Sequence, residues 1–425
     1  MIAEELLHFI WQFRLFNQLK LFSTAGEPIK IHFVGEHNNN AGPDFIQAKL
    51  AIAGQYWHGC VELHVDGRDW MRHKHHQDEA YNSVILHVVF SEPVVAHRAD
   101  GTRIPCLVLR NFLDEKLLIK YQQLMDNRHW IACEAHLPAV ADLHIQQLKG
   151  RMLVERLERN YHRVLQLHEQ TKADWEKMLF LMICRSFGMK VNAEAFLQLG
   201  EAIDLHLVRK YIDEPLKQQA LFFGQAGFLT KDYTDDYAVS LKNAYTELCD
   251  MHRLAPLSPV LWKQLRMRPA NFPTFRLGQL IGVYGANPYL FAGLLACETV
   301  EQANLLFQDN RTADYWTDHY QFDRPTRHHE TRLSDVFTTH LAINAFVPIL
   351  FTYGKMMGQP QLEARAFAWL EGIKAEHNHV IAMFAQRGIT SLNAADSQAL
   401  LQLKKSYCDQ KKCLECCVGL SILKA

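Results

Sequence analysis

The sequence predicts an α+β domain over residues 1–112, followed by a large all-α region over residues 113–425 that ends in a cysteine-rich tail. Two observations support this division. Before residue 110, apolar and polar residues alternate in several short runs, which is the pattern of half-buried strands. From Asp114 onward, apolar residues recur with the period of a helix, and strand signals almost disappear. A chain of 425 residues is long enough for two or three domains.

The first domain is expected to contain one helix, a set of strands, a second helix and a further strand. Leu6, Leu7 and Ile10 give the first helix one apolar face, and Gly54 divides two alternating runs that form a hairpin. The predicted elements are, in order, a helix at 3–17, strands at 29–35, 45–52 and 56–65, a helix at 74–83, a strand at 84–90, and a second hairpin of strands at 94–98 and 104–109.

The all-α region has no fixed repeat and no low-complexity linker, and prolines interrupt several of its helical runs. Its predicted helices are 114–126, 142–168, 172–188, 192–199, 202–211, 214–224, 236–251, 259–266, 274–283, 287–296, 299–308, 333–352, 360–373 and 393–406.

Acidic and imidazole side chains fall on one face of the first predicted hairpin. Asp44 lies at the start of one strand. On the next strand, Glu62 and His64 point the same way, because strand side chains alternate. We therefore expect Asp44 to face Glu62 and His64. Two strands that meet in this way form a divalent-metal site.

These residues carry a resemblance to a nuclease superfamily. Pro43-Asp44, followed by Glu62-Leu63-His64, resembles the PD-(D/E)XK signature of restriction-endonuclease-like nucleases. The predicted α-β-β-β-α-β order of elements is also similar to the core of that superfamily. The resemblance covers about the first 110 residues. The whole chain is similar to an uncharacterised bacterial family of unknown function.

The resemblance implies a metal-dependent nuclease that hydrolyses phosphodiester bonds of DNA or RNA. In that family pattern, Asp44, Glu62 and the Leu63 carbonyl would hold Mg²⁺ or Mn²⁺. Many nucleases of this class also place a glutamate from the first helix beside the metal. Glu5 is the candidate here, although spacing does not choose between Glu4 and Glu5.

His64 departs from the pattern, because the family has lysine at this position. We expect the neighbouring carboxylates to raise the pKa of His64 in the metal-free protein, and a bound cation to lower it again. His64 would then act as a base toward water, and Lys74 is a candidate for the missing positive charge.

Three histidines stand in the segment His73-Lys74-His75-His76, where they either ligate a transition metal or belong to a solvated helix start. We expect an intermediate arrangement, in which His76 or Lys74 reaches the acidic site and touches a phosphate. Just beyond, Gln77 and Tyr81 resemble the Gln-x-x-x-Tyr helix of RecB-like exonucleases, which implies contact with nucleic acid.

A basic and aromatic stretch at 262–276 is a candidate nucleic-acid surface. Arg266, Arg268 and Arg276 are interleaved with aromatic residues, a composition that contacts phosphates and stacks on bases. The alternative is that the aromatics are core residues and the arginines pair with acids. The net charge of −1 provides no overall attraction for nucleic acid, so binding requires such a local patch.

Four cysteines crowd the C-terminal tail, at Cys408, Cys413, Cys416 and Cys417. Their spacing is typical of a metal–thiolate site, with Zn²⁺ or an iron–sulfur cluster as the candidates. Adjacent cysteines rarely bind one ion together, so the fourth ligand either comes from elsewhere or is absent. The tail is also similar to the iron–sulfur staple of some RecB-like nucleases, with different spacing. The other interpretation is a set of buried, reduced thiols.

Acidic residues near the N-terminus and the lack of an apolar run of about 18 residues predict a cytoplasmic protein without a membrane span. Three function classes remain open at this point: a metal-dependent nuclease, a catalytically inactive nucleic-acid-binding protein, and a protein-interaction scaffold. The sequence does not choose between DNA and RNA, or between oligomeric states.

Overall fold

The computed structural model describes residues 3–38, 40–308 and 310–424, which form a mixed α+β protein that is about 56% helical. As predicted, a sheet-containing N-terminal region is followed mostly by helices. The chain forms two compact units, one of residues 3–148 with 403–424 and the other of residues 149–402. The change in composition near residue 112 therefore marks the end of the main sheet and not the end of a compact unit.

The first unit contains one main sheet with short helices around it. Its strands are β1 Leu21–Phe22, β2 Pro28–Phe33, β3 Glu36–His37, β4 Phe45–Ile52, β5 Gln55–Asp66, β6 Val84–Ser91, β7 Ala96–His97, β8 Arg103–Ile104 and β9 Cys106–Val108. Its first α-helices are α1 Glu4–Gln12, α2 Asp69–Arg72 and α3 Glu115–Asp126, with 3₁₀ helices at His75–Gln77, Glu79–Ser83, Leu109–Phe112 and Glu134–Ala139.

Strands β2, β4 and β5 form an antiparallel set, and β6 then pairs in parallel with β5. Within the described residues, the main sheet has the order β1-β2-β4-β5-β6-β9, with β3 paired to β4. Strand β6 is buried almost throughout, as expected for a parallel strand that is covered on both faces. The core of this unit therefore lies around β5 and β6.

A bulge interrupts the pairing of β4 with β5. Phe45 pairs with Val61, but Ala48 pairs with Gly59, so β4 contains one extra residue between these points. The backbone accommodates the extra residue at Gln47, which has a left-handed φ of 60°. The bulge separates the part of the hairpin that carries Asp44 from the regular ladder that follows.

The crossover from β5 to β6 is not the helix predicted at 74–83. It consists of α2 and two 3₁₀ turns, because two residues break the helical path. Lys74 has a left-handed φ of 63°, and Asp78 is extended and accepts a hydrogen bond from the Ala80 backbone N–H. Gln77 and Tyr81 therefore do not share one α-helix.

Helix α1 packs against β5 and covers one face of the sheet. Its apolar positions Leu6, Leu7 and Ile10 are fully buried, as the periodicity predicts. The Trp11 indole N–H donates a hydrogen bond to the Val34 carbonyl oxygen at 3.0 Å, which fixes the helix against the sheet. This packing brings the first turns of α1 close to the start of β4.

The second hairpin is confirmed in a shorter form. Strands β7 and β8 pair with each other in antiparallel fashion, while β9 joins the main sheet in parallel with β6.

The second unit is helical. Its main elements are α4 Asp142–Gln170, α5 Trp175–Phe187, α6 Ala193–Ala202, α7 Leu205–Lys210, α8 Pro215–Gln225, α9 Asp236–His252, α10 Pro273–Ala286, α11 Leu290–Ala296, α12 Val300–Leu305, β10 His319–Gln321, β11 Arg324–Pro325, α13 Asp335–Leu341, α14 Val347–Met356, α15 Pro360–Gly372, α16 His379–Ala385 and α17 Ala394–Leu403. The helix predicted at 259–266 is wrong. Only a 3₁₀ turn forms there, at Pro259–Leu261, and Arg266 has a left-handed φ of 61°.

One helical stretch, Asp335–Met356, is long and apolar enough to cross a membrane by length and composition. However, 72% of its most apolar window is buried inside the fold. This is the behaviour of a core helix and is consistent with a soluble protein.

The last segment belongs to the first unit. It contains a π-helical turn at Lys404–Cys408, a 3₁₀ helix at Cys413–Glu415 and α18 Cys417–Lys424.

Candidate functional site

Asp44 and Glu62 lie opposite each other on neighbouring strands. Since Phe45 pairs with Val61, the next positions along the two strands face each other. The Asp44 backbone N–H donates a hydrogen bond to Glu62 Oε2 at 3.0 Å, and the Leu63 backbone N–H donates one to Asp44 Oδ2 at 2.9 Å. These reciprocal bonds hold the two carboxylates side by side.

Four imidazoles cluster beside Glu62. Its Oε1 atom lies 3.6 Å from His64 Nε2 and 3.3 Å from His75 Nε2. His64 Nδ1 and His87 Nε2 are 2.9 Å apart and share a hydrogen bond. In the part of the chain that the structure describes, His64, His73 and His75 each present a ligand atom within 4.8 Å of the others. These three histidines are the residues best placed to bind a transition metal.

Most of the cluster is buried, although His73 is exposed, and burial sets the protonation states of the buried groups. Burial, followed by the charges of His87 and His75, lowers the pKa of His64 to about 2. Burial likewise lowers the pKa of His87 to about 4. For Glu62, burial raises the pKa, although the contact with His75 opposes this rise. The expected increase in the pKa of His64 is therefore wrong, because burial among other imidazoles outweighs the nearby carboxylates.

Helix α1 contributes further ionisable groups. His8 Nε2 lies 3.2 Å from Asp44 Oδ2. Burial by itself would lower the pKa of His8, but the contact with Asp44 outweighs it and raises this pKa. Burial raises the pKa of Glu4, whose carboxyl group also interacts with His8 and Asp44. The predicted acid, Glu5, is exposed, and its charge acts on Tyr121 instead. Glu4 is thus the acid of this helix that belongs to the site.

The crossover contributes different residues from those predicted to reach the site. His75 is buried, and its ring stacks on Tyr81 with 3.8 Å between the ring centroids. Burial, together with the charges of the two site carboxylates, raises the pKa of Tyr81 to about 12. Lys74 and Gln77 are exposed, and His76 is half-buried. Tyr81 therefore borders the cluster, whereas the Lys74 side chain lies in solvent.

The basic stretch at 262–276 lies in the second unit, and its arginines differ in environment. Arg266 and Arg268 are exposed. The Arg276 guanidinium lies over the Phe337 ring, 3.9 Å from the centroid, and donates hydrogen bonds to two neighbouring amide side chains. Burial lowers the pKa of Arg276 to about 10. Arg276 is therefore used inside the unit, and only the other two arginines are available to a partner.

Three of the tail cysteines meet a fourth cysteine from elsewhere in the sequence. Cys408, Cys413 and Cys416 line a small cavity together with Cys133. Cys417 does not line this cavity, and its thiol donates a hydrogen bond to the His144 carbonyl oxygen at 3.6 Å.

The sequence did not lead us to predict three residues of the clusters described above. His87 is a polar residue inside an otherwise apolar strand, and that interruption was a usable signal. His8 also carried a signal, because it lies one turn after Glu4 on the same helix face. Cys133 carried none, since its partners are more than 270 residues away in the sequence.

The fold and the site define an α+β protein whose N-terminal unit holds a cluster of carboxylates and imidazoles. The chain belongs to the protein family of unknown function DUF2851, whose model matches residues 4–379. The matched range includes the whole cluster and ends before the cysteine-rich tail. No curated protein matches the chain, and no solved structure matches it.

Proposed function

We propose that the carboxylate–imidazole cluster is the active site of a metal-dependent nuclease that hydrolyses phosphodiester bonds of DNA or RNA. The observation that carries this proposal is the reciprocal hydrogen bonding that holds Asp44 and Glu62 together beside buried imidazoles. The order of elements also supports it. Helix α1, the antiparallel strands β2, β4 and β5 and the parallel strand β6 resemble the order of the restriction-endonuclease-like core, with a short helix and 3₁₀ turns in place of its second long helix.

The donors in the cluster fit a divalent cation. Carboxylates and a backbone carbonyl are ligands for Mg²⁺ or Mn²⁺, and Asp44, Glu62 and the Leu63 carbonyl would supply them. His75 Nε2 is buried and lies 3.3 Å from Glu62 Oε1, which places it as a further ligand beside the same carboxylate. Because imidazole favours transition metals, we expect Mn²⁺ to support activity better than Mg²⁺. When bound, the cation would stabilise charge on the phosphate and activate a water molecule.

His64 performs a different task from the lysine of the family pattern. Its low pKa keeps it neutral at physiological pH, so it cannot supply a fixed positive charge. A neutral imidazole can bind a metal through Nε2, which faces Glu62, whereas a pKa this low makes His64 a weak proton acceptor. The hydrogen bond between His64 Nδ1 and His87 Nε2 fixes the orientation of the ring.

His8 is the candidate for the missing positive charge. Its imidazole contacts Asp44, and this contact, which outweighs burial, raises the pKa of His8 and favours its protonated form relative to a free histidine. His8 takes the role of positive charge that the sequence suggested for Lys74, because the Lys74 side chain is exposed. A protonated His8 beside the carboxylates would stabilise negative charge on a bound phosphate.

Nucleic-acid contacts are also proposed for the second unit. Arg266 and Arg268 are exposed cations of the kind that contact phosphates. Trp262 lines a cavity of about 310 Å³ whose wall also includes Lys231 and Arg324. An aromatic ring and two cations in one cavity wall suit a base and its phosphate.

The proposal is tested by cleavage of fluorescently labelled DNA and RNA, single-stranded and double-stranded, with metal-stripped full-length protein to which Mg²⁺ or Mn²⁺ is added back. Asp44→Asn and Glu62→Gln should each abolish cleavage. His64→Ala should reduce the rate, because it removes an imidazole that is placed to bind the metal beside Glu62.

Two exposed residues provide matched controls. His58 lies on β5 with His64, and Glu36 lies on β3, which pairs with the strand that follows Asp44. His58→Ala and Glu36→Gln should leave the rate unchanged. Cleavage that survives Asp44→Asn would come from a contaminant, and the nuclease proposal would then fail.

A second candidate is a nucleic-acid-binding protein that has lost catalysis. The neutral His64 in the lysine position favours it, because this site lacks the fixed charge of the family pattern. The same assay distinguishes the two, since salt-sensitive binding without cleavage by the wild-type protein would identify the inactive form.

A further inference from the structure

Four cysteines from two distant parts of the chain converge on one cavity in the first unit. Cys133 precedes the 3₁₀ helix at Glu134–Ala139, while Cys408, Cys413 and Cys416 come from the C-terminal segment. The cavity has a volume of about 20 Å³. These four cysteines line the cavity, but among the described residues no three of their sulfur atoms lie within 4.8 Å of one another, so a metal ion would have to draw the thiols together.

The backbone is shaped to bring these thiols together. Gly419 lies on the cavity wall, and a Cβ atom added there would be 2.0 Å from the Cys413 carbonyl oxygen. Only glycine permits this close approach of α18 to the segment that carries Cys413. The approach holds the tail in the compact form in which its thiols face Cys133.

Buried, reduced thiols alone do not account for the arrangement. The other cysteines of the chain are dispersed, as expected for small core residues. Here four thiols share one space, and Cys133, Cys408 and Cys413 interact electrostatically with Cys416. Four sulfur ligands are the donor set of structural zinc sites and of iron–sulfur clusters.

We propose that these four thiols bind one thiophilic metal centre that fastens the C-terminal segment to the chain around Cys133. On binding of Zn²⁺, four sulfur–metal bonds form and four thiol protons leave to solvent, so the site acquires a net charge of −2. Nearby cations offset this charge. Lys412 lines the cavity, Lys411 acts on Cys413, and Lys404 acts on Cys408.

The size of the cavity favours a single ion. About 10–15 Å³ is needed to hold one water-sized sphere, so 20 Å³ accommodates one metal ion. A zinc site holds its sulfur atoms about 3.8 Å apart, so zinc would pull the tail inward, whereas an iron–sulfur cluster uses the same four ligands but needs more space than this cavity offers. We therefore expect zinc. The site is remote in sequence from the proposed nuclease residues, and it does not rest on that function.

The test is the metal content of full-length protein purified without oxygen or chelator. Wild type should contain about one zinc per chain, the stoichiometry of a four-thiolate site. Cys133→Ser should lose this zinc, because Cys133 supplies one of the four ligands even though the other three are in the tail. Cys417→Ser is the matched control, because Cys417 adjoins Cys416 but lies outside the cavity wall. It should retain the zinc.

A measurement on the wild-type protein alone tests the proposal even if the cysteine variants do not fold. Replacement of the metal by Co²⁺ should give the thiolate-to-cobalt charge-transfer absorption of a tetrahedral sulfur site. Iron with an equal amount of acid-labile sulfide would support the same four ligands and identify the centre as a cluster. The proposal is overturned if wild type contains neither metal and shows no cobalt–thiolate absorption, or if folded Cys133→Ser retains a full equivalent of metal.

Discussion

Acidification should destabilise the metal-free protein through His64 and His87. Both imidazoles stay neutral in the fold, since burial lowers their pKa values to about 2 and about 4. An unfolded histidine has a pKa of about 6.5. Between about pH 7 and pH 5 the unfolded chain therefore takes up protons that the folded chain does not, and the free energy of unfolding falls as the pH falls. Integrated over this interval, each histidine accounts for a loss of about 2 kcal/mol.

Other groups in the cluster act in the opposite direction. The pKa values of His8 and Glu62 are raised in the fold, so their contributions to stability increase as the pH falls toward their unfolded values. The pH dependence of the free energy of unfolding of the wild type is therefore the sum of contributions from several groups. A comparison of wild type with His64→Gln isolates the contribution of His64, because the opposing groups are present in both proteins.

Urea unfolding, followed by tryptophan fluorescence in the presence of a chelator, measures this difference. His64→Gln should lose less stability than wild type between about pH 7 and pH 5, by about 2 kcal/mol. The control is His58→Gln, an exposed position on the same strand, which should behave like wild type. Equal pH dependence of His64→Gln and wild type would refute the assignment of His64 as a neutral, buried imidazole.

Two further predictions concern residues around the site and the basic stretch. His87→Ala removes the partner that orients His64, and it should weaken metal binding by about 10–100-fold in a calorimetric titration while leaving the ligands in place; unchanged affinity would show that His87 has no orienting effect. Arg268→Ala should lower the salt dependence of nucleic-acid binding by about one phosphate contact, with little loss of stability, because Arg268 is exposed. Arg276→Ala should instead lower the thermal stability, because the Arg276 guanidinium packs on Phe337. The reverse pattern, measured by filter binding and thermal unfolding, would contradict this distinction.

The sequence predicted the strands that carry the two carboxylates, and it did so for a physical reason. Strand β4 begins and ends where the alternating pattern begins and ends, at Phe45 and Ile52. Alternation with a period of two also predicts that Asp44 and Glu62 share a face, and the register places them opposite each other. Local periodicity was sufficient for this part of the site.

The imidazole part of the site depends on pairing that local patterns do not reveal. His87 reaches His64 because β6 runs parallel to β5, with Glu62 paired to His87 in the register. The crossover was predicted as a helix, since its composition is polar and suited to a helix start. The left-handed backbone at Lys74 instead turns His75 inward and leaves the lysine side chain outside.

Burial also reversed one electrostatic expectation. A histidine beside two carboxylates is expected to have a raised pKa, and this holds for His8, which contacts Asp44. It fails for His64, because the imidazoles of His87 and His75 surround it in a buried environment. The number of histidines near His64 becomes visible only when the sheet and the crossover are assembled.

Direct titration of Mn²⁺ into metal-stripped protein tests the central claim, that Asp44 and Glu62 form a divalent-metal site. Mn²⁺ suits carboxylate and imidazole ligands better than thiolates, so it reports on this cluster and not on the cysteine-lined cavity. Calorimetry should show saturable binding to wild type, and Asp44→Asn and Glu62→Gln should each abolish it while Glu36→Gln retains it. No binding to wild type, or undiminished binding to both site variants, would contradict the claim.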